Sequence, residues 1–204
     1  MWIELAGALA SGKSTLSADF RREGFHVVSE DLSTNPYLDL VRQAPERYAF
    51  PCQQRFIDDK IDSIFRAFRQ GHENIVADFC LTVERAYVTH YLESCPEQAR
   101  RLCCYIDRFY ESVGKPDAIV FLKCAPETIL DRIRQRGRVF EQGHDFSFVR
   151  KICGLVEENV AAAAASGIRV IELDSGAVPS AELWAGKATE IVEMITHYSA
   201  PAAA

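Results

Sequence analysis

No run of apolar residues in this chain of 204 approaches the ~20 that a membrane helix requires, so no membrane partner is expected. No charged segment followed by an apolar stretch opens the chain, because a glycine-rich loop stands in that place, and a cytoplasmic protein is the expectation. An excess of positive charge is also lacking. Lys and Arg number 23 against 29 Asp and Glu, giving a net charge of −6, which excludes a general nucleic-acid surface and confines any basic function to a local cluster. The 7 cysteines form no C-x-x-C pair and no cysteine–histidine spacing of a zinc site. An odd number without a secretion signal reads as reduced, mostly buried thiols. Neither a repeat nor a linker divides the chain. With 48% hydrophobic residues it can build one sizeable core. One domain over residues 1–198 is expected, with 199–204 as a frayed tail.

Against these absences stands Gly7-Ala8-Leu9-Ala10-Ser11-Gly12-Lys13-Ser14, followed by Thr15. It is a complete G-x-x-x-x-G-K-[ST] loop in the right setting. Trp2–Ala6 reads as an apolar strand entering it and Ser14–Phe20 as a helix leaving it. That order gathers backbone N–H groups and a helix N-terminus around a phosphate. Lys13 can then reach the β- and γ-phosphates and the Ser14 hydroxyl can ligate Mg²⁺, so an ATP-type site is predicted.

Beyond the loop, strands alternate with helices, which predicts a parallel sheet covered on both faces. Strands are expected at 25–29, 74–78, 118–123 and 168–173. Helices are expected at 45–70, where Pro51 can kink or restart the helix, and at 96–113, 126–136, 147–166 and 181–198. Ligands of open parallel sheets sit at the carboxyl ends of the strands, so Glu30, Asp31 and Asp78 are the acids to weigh. One can hold Mg²⁺ directly or through water, and another can take a proton from a hydroxyl acceptor. The alternative for each is a loop or helix cap. Arg132, Arg134, Arg136 and Arg138 form the second constellation, with Arg132 and Arg136 on one helical face. Gly137 allows a turn, so residues 136–146 can close as a lid that brings guanidinium groups to a phosphoryl group in transit. A solvated arginine face is the alternative.

Four segments in this order resemble the deoxyribonucleoside kinase family, most closely its compact bacterial members. They are the phosphate loop, Glu30-Asp-Leu-Ser-Thr-Asn35-Pro36, Pro45-Glu-Arg-Tyr-Ala-Phe50-Pro-Cys-Gln53, and Arg132-Ile133-x2-Arg136-Gly137-Arg138-x2-Glu141. The resemblance implies a P-loop kinase fold with a five-stranded parallel sheet and an arginine-rich lid. It implies transfer of a phosphoryl group from ATP, with Mg²⁺, to the 5′-hydroxyl of a deoxynucleoside, commonly by a homodimer built through helices. The faces of 47–70 and 96–113 are candidate interfaces, with ordinary core as the alternative.

Carried over by position, Glu30 matches the general base, Gln53 the reader of the nucleobase edge, and Asp78 an acid that helps hold Mg²⁺. Arg132, Arg136 and Arg138 match the arginines around the transferred phosphate, and Glu141 the acid on the sugar 3′-hydroxyl. Glu84 and Lys60 fall near the base pocket.

Two positions depart from the pattern. Phe79 stands where most relatives carry an arginine after the acid, and Arg85 is a candidate to supply that charge. Arg42 stands where a tyrosine usually meets the sugar 3′-hydroxyl. It suits an anionic acceptor, swings outward, or pairs with an acid such as Glu46. The alternative functions are a nucleoside monophosphate kinase and a nucleotide-binding regulatory module without turnover.

Overall fold

The computed structural model describes residues 1–138, 141, 143–176 and 184–197. Its centre is β1 (Trp2–Ala6), all five residues of which are buried. The side chains alternate strictly. Ile3 and Leu5 pack with Leu16 and Phe20 of α1 (Lys13–Arg22), whereas Trp2 and Ala6 face the opposite layer. Burial on both faces is why the strand reads as apolar rather than alternating.

Around β1 the sheet adds β2 (His26–Val28), β3 (Ile75–Ala77), β4 (Ala118–Lys123) and β5 (Val170–Asp174). The order is β2-β3-β1-β4-β5 and every pairing is parallel. The five expected strands are therefore present: β1 and β4 at the expected bounds, β2 and β3 one residue shorter at each end, and β5 starting two residues later and ending one later. A 3-10 turn (Leu32–Thr34) and a short helix α2 (Leu38–Val41) follow β2. The long α3 (Pro45–Arg69) runs through Pro51 as one element. Next come α4 (Leu81–Tyr91), α5 (Pro96–Val113), α6 (Pro126–Arg136), α7 (Phe146–Ala165) and α8 (Lys187–His197). The first residues of the expected 181–198 helix, its final Tyr198 and the 199–204 tail lie outside the described residues. Helices α1 and α8 cover one face. On the other, α3, α4 and α5 pack on one half and α4, α6 and α7 on the next.

Helix α4 is an addition to the sequence expectation. Three residues separate it from the end of β3, and it carries β-branched Thr82, Val83, Val88 and Thr89, which weaken any helical signal. Its N-terminus is fastened by a residue of the central strand. Glu4 is fully buried, and its carboxylate accepts hydrogen bonds from Leu81 N at 3.1 Å and Tyr110 Oη at 2.8 Å. Burial pushes the Glu4 pKa up to about 7 despite those bonds. Asp19 serves α8 likewise, accepting from Ala188 N at 2.9 Å. Asp117 accepts from Trp2 N at 2.6 Å, so the Pro-Asp pair before β4 pins the start of β1.

Among the described residues no helix is long and apolar enough to cross a membrane.

Candidate active site

The loop between β1 and α1 turns through three left-handed residues: Gly7 at φ +146, Ala10 at φ 57 and Gly12 at φ 103. Gly12 leads directly into the first turn of α1. At Gly7 a Cβ would lie 2.4 Å from Ser11 Oγ and 2.9 Å from the Leu122 carbonyl oxygen. A methyl group there is excluded by backbone as well as by conformation. Gly7→Ala is expected to abolish detectable nucleotide binding in a titration and to lower Tm, because the loop must move off β4 to admit it.

Lys13 folds back over this loop, donating to the carbonyls of Gly7 at 2.9 Å and Ala8 at 3.0 Å. Burial lowers its pKa, an effect that the charges of Asp78 and Glu30 oppose. Asp78 closes β3 beside the start of α1. Burial raises its pKa against the hydroxyl groups of Ser14 and Ser17, and its Oδ1 is buried with no hydrogen-bond partner among the described residues.

One cleft of about 1060 Å³ opens at the carboxyl ends of β1, β2 and β3. Its walls carry the phosphate loop, Glu30, Arg42, Gln53, Lys60, Asp78, Glu84, Arg132, Arg136, Arg138 and Glu141, so residues from six separate parts of the chain converge there. Asn35 is what brings the Glu30 segment against α3. Its Nδ2 donates to the Cys52 carbonyl at 3.0 Å and its Oδ1 accepts from Tyr37 N at 3.0 Å. The adjacent Gln53 is buried, and its Oε1 has no partner among the described residues. A buried carbonyl oxygen left unpaired costs free energy, which a ligand donor would recover.

Asp31, weighed from sequence beside Glu30, is not in the cleft. It caps the 3-10 turn instead, accepting from Ser33 N at 3.0 Å and Ser33 Oγ at 2.6 Å. The cap alternative therefore holds for Asp31.

Lys60 stands at the middle of this cleft wall, and its importance was hidden in the sequence. It is 3% exposed and its ammonium pairs with Glu30 and with Glu84, the latter at 2.7 Å. Burial alone would raise the Glu30 pKa. The Lys60 charge and hydrogen bond, with help from Lys13 and Arg138, outweigh it and hold Glu30 below the usual carboxylate range. Glu84 goes the other way, raised by burial and by Glu30 against the pull of Lys60. Arg85, the candidate replacement for the arginine absent at Phe79, points elsewhere. It pairs with Asp107 of α5 at 2.5 Å, whereas Lys60 is ion-paired with both Glu30 and Glu84.

Helix α6 ends at Gly137 in the left-handed conformation, as a turn into a lid requires. Arg136 holds Glu141 through both carboxylate oxygens, and Arg138 lies 4.0 Å from the same carboxylate. Of the 136–146 segment, residues 139, 140 and 142 lie outside the described residues. Arg132 donates to the backbone carbonyls of Ser175 at 2.5 Å and Ala10 at 3.3 Å, so it braces the phosphate loop against the end of β5. Arg42 follows α2 and lines the cleft, where its charge acts on His144 across the opening. His144 stacks on Phe148 at 4.1 Å, an aromatic wall for which the sequence carried no recognisable signal.

A parallel sheet with a phosphate loop at its centre and paired acids at its rim defines a P-loop phosphotransferase. The family model for deoxynucleoside kinases matches residues 3–195, and the chain belongs to the deoxynucleoside kinase family, enzymes that phosphorylate nucleosides. It is 24% identical over 155 residues to a deoxyguanosine kinase of Bacillus subtilis, covering 74% of each chain. A deoxyguanosine kinase of Dictyostelium discoideum is 25% identical over 182 residues, which span 84% of this chain but 63% of that longer protein. The fold is shared with the deoxyadenosine kinase of M. mycoides solved with dCMP and dCDP, at a TM-score of 0.77 and 21% identity over 95% of this chain and 100% of the other.

Proposed function

We propose that this chain transfers the γ-phosphoryl group of ATP to the 5′-hydroxyl of a deoxynucleoside. One observation carries the reading: a single cleft holds the phosphate loop with Lys13, an acid kept ionised at Glu30, and the unpartnered amide oxygen of Gln53. Glu30 accepts the hydroxyl proton as the acceptor oxygen attacks. Gln53 and Glu84 take the nucleobase, and Glu141 the sugar. Lys13, Arg136 and Arg138 balance the charge on the phosphoryl group in transit. Arg132 holds the phosphate loop against the end of β5.

The donor set of Ser14 and Asp78 suits Mg²⁺, a hard cation that takes oxygen ligands, and the buried, unpartnered Asp78 Oδ1 is the acceptor such an ion would satisfy. When bound with ATP it would neutralise charge on the β- and γ-phosphates.

Residues 1–198 are proposed to act as one domain in a cytoplasmic salvage enzyme. A homodimer is supported by the neighbouring helices α3 and α5, where Phe65 and Tyr105 are each 38% exposed. Stable interfaces bury such aromatic side chains.

The position of Arg42 on the cleft wall favours one second reading, a nucleoside monophosphate kinase in which its guanidinium grips the acceptor phosphate by bidentate bonds. A coupled ADP-release assay over deoxynucleosides and their monophosphates, with wild type and Arg42→Tyr, separates the two. The nucleoside reading expects turnover on nucleosides and a several-fold higher kcat/KM for them in Arg42→Tyr. Turnover confined to monophosphates and lost in Arg42→Tyr would establish the second reading. Equal effects on both acceptors would show that Arg42 does not select between them.

A further inference from the structure

We propose that Lys60 is the residue that positions the catalytic base, holding the Glu30 carboxylate at the point of proton transfer. The inference rests on Glu30 being that base. Glu30 belongs to no helix or strand. It follows β2 by two residues, leads into an exposed 3-10 turn, and its side chain is 31% exposed. A carboxylate on such a segment has several rotamers of similar energy and no reason of its own to point at an acceptor hydroxyl.

Lys60 supplies the reason. It projects from the middle of α3, a helix of 25 residues, and its ammonium is confined on every side. Glu30 and Glu84 take it as a shared partner, and the rings of Phe56 and Phe79 lie 5.3 Å and 5.7 Å from it. Glu84 is itself buried on α4. The ammonium is thus anchored from α3 to Glu84 of α4 and offers a second of its three donors to Glu30, which lies in neither helix nor strand. The surrounding charges do not duplicate this. Lys13 donates to loop carbonyls and Arg138 lies beside Glu141, while Asp78 and Glu84 repel Glu30. Without Lys60, two acids would face each other across the cleft, and Glu30, on the loop, would turn away.

A double-mutant cycle on kcat, with KM for ATP and for nucleoside and Tm recorded throughout, tests this. Lys60→Met should lower kcat roughly 10- to 100-fold, the scale of a misplaced catalytic group, with KM for ATP little changed. Lys60→Arg should recover most of the loss. In the Glu30→Gln background, Lys60→Met should cost nothing further, because there is no carboxylate left to position. An equal loss in both backgrounds, or an effect on nucleoside KM alone, would overturn the proposal and leave Lys60 as a pocket residue. Should Lys60→Met fail to fold, Lys60→Met with Glu84→Gln, which removes the second unpaired acid, carries the same comparison. A Glu30→Gln loss of only a few-fold is a separate outcome. It would refute the assignment of Glu30 as base, not the placement of Lys60.

Discussion

Lys13→Ala is expected to lower kcat/KM by about 10²–10³-fold or more, the range found when one preorganised donor to a developing charge is removed, while Tm changes by a few degrees at most. The separation of the two effects follows from where the side chain is bonded. Its ammonium donates to the carbonyls of Gly7 and Ala8 within the loop, and the apolar packing of α1 is carried by Leu16 and Phe20. Burial and the acids Asp78 and Glu30 act on Lys13 in opposite directions, and an arriving phosphate would add to the acids. Measuring steady-state kinetics beside a thermal melt checks both halves. Near wild-type turnover in a folded Lys13→Ala protein would remove the phosphate-loop reading.

Glu30→Gln should keep the side chain's shape and remove its ability to accept a proton. A loss of roughly 10²–10⁴-fold in kcat is expected, the usual contribution of a general base, with ATP affinity close to that of wild type. The carboxylate is held below the usual range by Lys60 against the opposing effect of burial, so it is ionised at neutral pH and ready to accept. Asp31 is excluded as a substitute because it is committed to capping the 3-10 turn. A fall of only a few-fold would therefore move the base to Asp78, the other acid at the strand ends. Rapid-quench measurement of the phosphoryl-transfer step distinguishes a lost base from slowed product release.

What could be read without coordinates shares one physical character: it is local. The phosphate loop is contiguous, and its glycines are demanded by backbone geometry that Gly7 and Gly12 display at positive φ. The strands β1 and β4 announce themselves because burial on both faces makes them apolar apart from Glu4 in β1 and the terminal Lys123 in β4. Pro45 at the start of α3 and Gly137 at the end of α6 mark helix boundaries for reasons internal to the chain. Glu30, Gln53, Arg136 and Glu141 were legible as motif residues, and the cleft does gather them; that Arg136 and Glu141 pair with each other was not.

Tertiary structure alone decided the rest. A glutamate in the middle of the first strand looks like an interruption until Leu81 N and Tyr110 Oη are seen on it, contributions from 77 and 106 residues away. Helix α4 was hidden by β-branched residues, since its stability comes from packing between α3, α5 and α7 rather than from propensity. The charge missing at Phe79 was sought a few residues along the chain, at Arg85. Arg85 pairs with Asp107 instead, and a cation that does pair with the acids, Lys60, comes from α3, which packs beside the strands β2 and β3. Sequence carries the identity of each charged group. Which two of them share a buried proton donor depends on a low-dielectric environment that exists only once the elements have packed.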